Sequence, residues 1–301
     1  MKIGFYKIVP QIISNWVFDV ANEICIELGY DSHTTSNCED CYNDDITFLL
    51  LMSWHMLNNE YNDFKSIYKK SKCVALVNVE QLVNSEFYKE AFLEESQYCD
   101  CVVETLPEQL DYTKSIIKSK PVVFMPFGYH HSMTTHHNYY GKDVINWDVF
   151  KLELGLDNIR LQYHERIKDC GWKLFNEWET DLIRIGYYVK NSKVCLCTHA
   201  RGENSYLSAF RVLGMFIANE GFVINQRTQY PYLEEGKHII YFDEKEDMIE
   251  KIKYYLEHQE EAKYIARNAF EHVSKNLKFS DYINSCLNEI IKIFNGGALL
   301  K

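Results

Sequence analysis

Arginine is missing from the first 159 residues, and proline occurs only five times in 301. With 13 glycines, the chain has little material for flexible linkers, and 47% hydrophobic with 25% charged residues excludes a disordered or fibrous protein. No apolar stretch approaches the roughly 20 residues of a membrane-spanning helix. The strongest run is Phe48-Leu49-Leu50-Leu51-Met52. Phosphate-cradling P-loops and GxGxxG turns are absent, as are GxSxG and HExxH. The usual signals of P-loop kinases, nicotinamide dehydrogenases, serine hydrolases and zinc proteases are therefore missing. The amino terminus, Met1-Lys2-Ile3-Gly4-Phe5-Tyr6, reads as a strand and not as an export signal, so a cytoplasmic protein is expected.

What is present is an ordinary globular composition long enough for about two domains. Ten cysteines are scattered through the chain, most in apolar runs such as Val194-Cys195-Leu196-Cys197, and read as reduced, packed thiols. Cys38-Glu39-Asp40-Cys41 has metal-ligand spacing but no second pair to complete four ligands, so no metal is expected. The net charge of −11 disfavours duplex nucleic acid as a partner. That charge is uneven: residues 1–127 hold 10 Lys and 19 acids, net −9, whereas 128–301 hold 15 Lys, all seven Arg and 24 acids, net −2. Concentrating the planar, bidentate guanidinium in one half points to an anion site there.

Apolar runs alternate with helical periodicity along the chain. Strands are expected over 1–9, 45–52, 73–79, 101–104 and 122–125, with helices over 15–28, 56–70, 85–96 and 107–118 between them. Residues 128–146, rich in histidine, read as an interdomain connection. The alternation resumes with strands near 149–154, 172–175, 194–198, 222–225 and 239–242 and helices over 160–170, 180–191, 205–219 and 245–258. The end is helical, and the helix over 278–301 is expected to cross back to the first domain. The expected fold is α/β with two Rossmann-like domains, 1–127 and 147–277, facing a cleft.

Ligands bind beyond the carboxyl ends of strands in open parallel sheets, which selects the residues just after each apolar run. In the first half these include His55, Glu80 and His130; in the second they include Arg160, His199, Arg201, Glu203, Asn225, Gln226 and Arg227. Arg201, Glu203 and Arg211 bracket the start of a helix at Ser205, where unpaired N–H groups would add to guanidinium charge and suit a diphosphate. Glu80 follows an apolar strand, as a catalytic base or as a cap for the helix near Ser85. Asp44-Asp45 precedes its strand and is not read as a metal-binding DxD.

The second half resembles the donor domain of GT-B glycosyltransferases, specifically the small group related to the spore-maturation CgeB type. The resemblance rests on Asn158-Ile159-Arg160, Asn191-Ser192-Lys193-Val194-Cys195-Leu196, Arg211-Val212-Leu213, Ile217-Ala218-Asn219 and Phe222-Val223-Ile224-Asn225-Gln226. The first half adds Asn78-Val79-Glu80-Gln81-Leu82 and Met125-Pro126-Phe127-Gly128-Tyr129. The family implies a metal-independent transferase with no cofactor beyond its nucleotide-diphosphate sugar. It places donor binding on Arg160, Lys193, His199, Arg201, Glu203, Arg211, Asn225 and Gln226. Glu80, His55 and His130 are the candidates for catalysis on the acceptor side. The acceptor could be a glycan, a lipid-linked sugar, a protein or a modified base. Relatives often carry a second Glu seven residues beyond the first and a Glu where Gln226 stands; here Glu203 is followed eight positions on by Arg211. That departure leaves the stereochemical outcome open, together with two alternatives: a non-catalytic nucleotide-sugar-binding module and a sugar epimerase of the same architecture.

Overall fold

The computed structural model describes residues 1–7, 15–50, 61–135, 146–152, 158–175, 179, 181–199, 206–228 and 230–294. The chain divides into two compact units, Met1–Phe127 with Phe279–Lys301, and Gly128–Lys278.

The first unit is built on six parallel strands: β1 (Lys2–Tyr6), β2 (Asp31–Thr35), β3 (Ile46–Leu50), β4 (Val74–Asn78), β5 (Cys101–Glu104) and β6 (Val122–Phe124), in the order β2-β1-β3-β4-β5-β6. β3 and β4 are buried along their whole length, so they read as continuous apolar runs without alternation. Crossover helices α1 (Asn15–Glu27), α2 (Tyr61–Lys70), α3 (Glu86–Glu95) and α4 (Leu110–Ile116) join them, as parallel strands require. Pro107 opens a short 3₁₀ turn ahead of α4, where its missing N–H costs nothing. β2 is the strand that hydrophobic patterning passes over. Its sequence, Asp-Ser-His-Thr-Thr, is polar because it lies on the sheet edge and is at best half-buried. Tyr6, Leu49, Phe64, Leu76, Phe92 and Val102 lie in one core layer, each fully buried side chain of this size contributing about 1.5–3 kcal/mol. The last helix described, α9 (Phe279–Ile293), belongs to this unit: it packs on α1 and β6, and Phe279 stacks on Phe127 with centroids 4.9 Å apart.

The second unit has five parallel strands, β7 (Trp147–Phe150), β8 (Leu174–Phe175), β9 (Ser192–Cys197), β10 (Val223–Gln226) and β11 (Ile240–Phe242), in the order β11-β10-β9-β7-β8. Helices α5 (Asn158–Asp169), α6 (Leu182–Lys190), α7 (Lys245–Glu257) and α8 (Gln259–Asn276) accompany them, and the segment Phe210–Phe216 winds as a π-helix. Val149, Ile167, Val194, Ile224, Phe242 and Ile252 share a core on one face of the sheet. Asn219 fastens the stretch after Phe127 to this unit. Its Oδ1 accepts from Thr135 N at 2.8 Å, and its Nδ2 donates to the carbonyls of Met133 and Met215. Gly186 of α6 makes that approach possible, since a Cβ there would lie 1.9 Å from Thr135 Oγ1.

Candidate functional site

In the second unit β7, β9 and β10 end side by side, with Phe150 opposite Cys195 and Cys197 opposite Asn225. Just beyond or at those ends lie Lys151, Thr198, His199, Asn225 and Gln226, all buried. Gln226 Oε1 accepts a hydrogen bond from His199 N at 2.9 Å, tying the loop after β9 to the end of β10. The π-helix delivers Arg211, whose Nη1 is 3.8 Å from Cys197 Sγ. Arg160 stands in the first turn of α5, and its carbonyl accepts from Lys151 Nζ at 3.2 Å.

Burial, together with the positive charge of Arg211 and then Arg160, pushes the His199 imidazole down to about 3, with Asn225 opposing that drop. His199 is therefore uncharged at neutral pH and acts as a hydrogen-bonding group, not a cation. Arg211 is 5% exposed, and among the described residues no carboxylate pairs with it. His199 Nε2, Arg211 Nε and Asn225 Oδ1 are buried without a hydrogen-bond partner. A buried guanidinium lacking a counter-charge costs several kcal/mol. Such a cost is offset when an anion with several oxygens occupies the site, which the planar guanidinium grips in two places.

The structure thus brings Arg160, His199, Arg211, Asn225 and Gln226 together. Lys193 is placed elsewhere: it sits near the amino end of β9, pairs with Asp148 at 2.7 Å, and lines a pocket of about 470 Å³ with Lys190, Lys263 and Arg267. Arg227 is held by carboxylates, Nε to Asp243 at 2.6 Å and Nη1 to Glu235 at 2.8 Å. His55, Arg201 and Glu203 lie outside the described residues. Lys151 is the residue that sequence reasoning missed. It is 1% exposed and directly follows β7. Its signal was a lone charge at the end of the run Val149-Phe150-Lys151-Leu152.

His130, also in the second unit, is buried and caps the turn His131–Met133, with Nδ1 2.8 Å from Ser132 Oγ. This contact gives the ring a local structural task.

In the first unit Glu80 follows β4 on a loop clamped at its backbone. Its N–H donates to Asn78 Oδ1 at 3.1 Å, and its carbonyl accepts from Asn78 Nδ2 and from Gln109 Nε2. Both clamps converge on Glu104, at the end of β5. Glu104 Oε2 accepts from Asn78 Nδ2 (2.8 Å), Gln109 Nε2 (3.1 Å) and Thr113 Oγ1 (2.6 Å), and Oε1 accepts from Leu106 N (2.9 Å). Burial raises the Glu104 carboxyl, and these donors pull it back toward the ionised form. The cap of α3 is Ser85, whose Oγ accepts from Tyr88 N, and not Glu80. The Glu80 side chain is half-buried.

Residues 172–287 match the Glycosyl transferase-like family. No curated protein matches the chain in sequence. Among solved structures, HepE of Anabaena in complex with UDP and glucose is similar at TM-score 0.66 and 10% identity, covering 97% of this chain and 100% of the other. An alpha-glucosyltransferase in complex with UDP-glucose and DNA containing an abasic site is similar at 0.64 and 12%, covering 98% and 99%. Sucrose-phosphate synthase from Thermosynechococcus elongatus is similar at 0.64 and 10%, covering 99% and 100%. The fold class expected from the sequence is borne out: α/β, with two parallel sheets of six and five strands, matching the GT-B fold class of these similar structures. No described helix is long and apolar enough to cross a membrane.

Proposed function

We propose that this protein is a glycosyltransferase that moves a sugar from a nucleotide-diphosphate sugar to an acceptor hydroxyl. The observation that carries the reading is Arg211, buried with no carboxylate paired to it among the described residues, beside the uncharged His199 at the carboxyl ends of β7, β9 and β10. The glycosyl transferase-like match over residues 172–287 and the UDP or UDP-glucose in the similar structures support it.

Breaking the bond between the anomeric carbon and the diphosphate leaves negative charge on the leaving group. Fixed positive groups in a water-poor site stabilise that charge without reorganising. In our reading Arg211 and Arg160 grip the diphosphate, with Lys151 behind them adding positive charge. His199 Nε2 and Asn225 Oδ1 gain their missing partners from donor hydroxyls or phosphate oxygens. These groups supply the positive charge that a metal ion would otherwise bring, so the transfer is proposed to be metal-independent. We assign Glu80 as the base that takes the proton of the acceptor hydroxyl, on a loop whose backbone Asn78 and Gln109 hold in place.

The test is calorimetric titration with UDP and GDP, followed by incubation with the corresponding sugar nucleotides in the presence of a chelator. Acceptors should include glycans, lipid-linked sugars, proteins and modified DNA, because one similar structure contains DNA. Micromolar to millimolar binding of one nucleoside diphosphate with release of it from its sugar conjugate is expected. The absence of binding at millimolar concentration of either nucleotide would refute the proposal. Binding with no turnover on any acceptor would favour the non-catalytic module instead.

A further inference from the structure

The first unit gathers three metal-ligating side chains toward the amino ends of its strands, away from the ends that carry Asn78 and Glu104. His33 lies in β2, opposite Gly4 of β1. Cys41 closes the 3₁₀ turn Cys38–Cys41, and Asp44 follows it just ahead of β3. One ligand atom from each of His33, Cys41 and Asp44 lies within 4.8 Å of the other two. Cys41 and Asp44 are completely buried, and His33 is half-buried.

Two distances decide what this cluster is. His33 Nε2 is 3.6 Å from Asp44 Oδ2, too far for a hydrogen bond. It is the separation expected of two ligands on one tetrahedral ion, whose bonds of about 2.0–2.3 Å put ligand atoms about 3.3–3.8 Å apart. His33 Nε2 and Asp44 Oδ2 are buried with no hydrogen-bond partner, so one oxygen of a fully buried carboxylate is left unsatisfied. The ammonium of Lys2 is 3.0 Å from Asp44 Oδ1 and balances part of its charge, but the Lys2 side chain is 37% exposed and can turn to water. Gly4 is the floor of the site, since a Cβ there would lie 1.9 Å from Asp44 Oδ2 and 3.3 Å from His33 Cε1.

We propose that His33, Cys41 and Asp44 form a site for a zinc-class divalent cation, with water as the fourth ligand. Thiolate, imidazole and carboxylate together suit zinc, whereas an all-oxygen set would suit calcium or magnesium. On binding, the Cys41 thiol releases its proton to solvent as the sulfur–metal bond forms, and Lys2 swings away from Asp44. The ion ties β2 to the segment that leads into β3. Cys38, the other half of the C-x-x-C spacing, takes no part: its Sγ lies 3.3 Å from Tyr42 Oη.

The experiment uses the full chain, stripped with a chelator, incubated with Zn²⁺ and dialysed, with metal measured by plasma mass spectrometry. Cobalt replaces zinc as the optical probe. Wild type is expected to retain one equivalent of zinc, to unfold at a higher temperature with it, and to show a thiolate-to-cobalt charge-transfer band. Cys41→Ser and His33→Asn should each lower zinc affinity at least about 100-fold and abolish or shift the band, whereas Cys38→Ser keeps both. Far-ultraviolet circular dichroism confirms that each variant is folded. Wild-type protein that retains no zinc overturns the proposal whatever the variants do, as does a cobalt band that survives Cys41→Ser or vanishes in Cys38→Ser.

Discussion

Replacing Arg211 by methionine should make the ligand-free protein more stable and the nucleotide-bound protein weaker, two effects that ordinary damage to a core does not combine. The Arg211 side chain is 5% exposed, its Nε lacks a partner, and its contact through Nη1 is with the weak acceptor Cys197 Sγ. Methionine keeps the unbranched stem and removes a buried charge that no carboxylate pairs with among the described residues. Replacing buried ionic groups by apolar groups of similar volume is neutral to stabilising by about 1–4 kcal/mol. In a unit of this size each kcal/mol moves the melting temperature by about 2–4 °C. Binding shifts the other way. Hydrogen bonds to a charged group are worth about 1.5–3 kcal/mol, so their loss should weaken UDP binding about 10- to 150-fold. Urea unfolding without ligand and calorimetric titration with UDP measure the two quantities on the same preparations. An Arg211→Met variant that is less stable than wild type and binds UDP equally well would refute the reasoning, because both signs follow from the same buried charge.

His199 is held near 3 in the folded protein against about 6.5 unfolded. The unfolded chain therefore takes up the proton first, and folding stability falls as pH drops below 6.5, by about 2 kcal/mol at pH 5 from this group; His199→Asn should flatten that part of a urea-midpoint profile, and an unchanged slope would exclude the assignment. Glu104→Leu orphans the donors of Asn78, Gln109, Thr113 and Leu106, and should cost about 3–5 kcal/mol in chemical denaturation; the milder Glu104→Gln should lower transfer while leaving UDP affinity intact, since the loop it organises carries Glu80. Gly186→Ala drives a methyl into Thr135 Oγ1 and should cost about 1–3 kcal/mol, with Thr135→Ala in the same chain restoring part of the loss; additive single effects in the double-mutant cycle would show that the two side chains do not collide.

The alternation of strands and helices was legible because parallel strands buried on both faces must be apolar without a break, and β3, β4 and β5 are. β2 was not, since an edge strand needs no apolar face. Periodicity also indicated a helix around 205–219, but it does not reveal the π winding of 210–216. In the site, the rule that ligands lie beyond strand ends found His199, Asn225 and Gln226 because those residues directly follow or close their apolar runs. Lys193 entered through the family resemblance and not through that rule, and it stands near the amino end of β9, paired with Asp148. Arg227 shows another limit: nothing in its neighbourhood announces that Glu235 and Asp243, eight and sixteen residues on, will occupy its charge. Lys151 escaped because a fully buried lysine is rare enough that a charge after a strand reads as a loop residue.

The chain leaves its first unit at Phe127 and returns to it only at Phe279. Synthesis on the ribosome therefore completes the second unit before the first. The six-stranded sheet must wait through about 150 residues of translation, on the order of ten seconds, with the surface meant for α9 uncovered. Phe127 and the face of α1 that packs on α9 stay exposed during that interval, and any nascent-chain chaperone would find its target there. A nonsense mutation late in the message would damage the part of the protein that is made first.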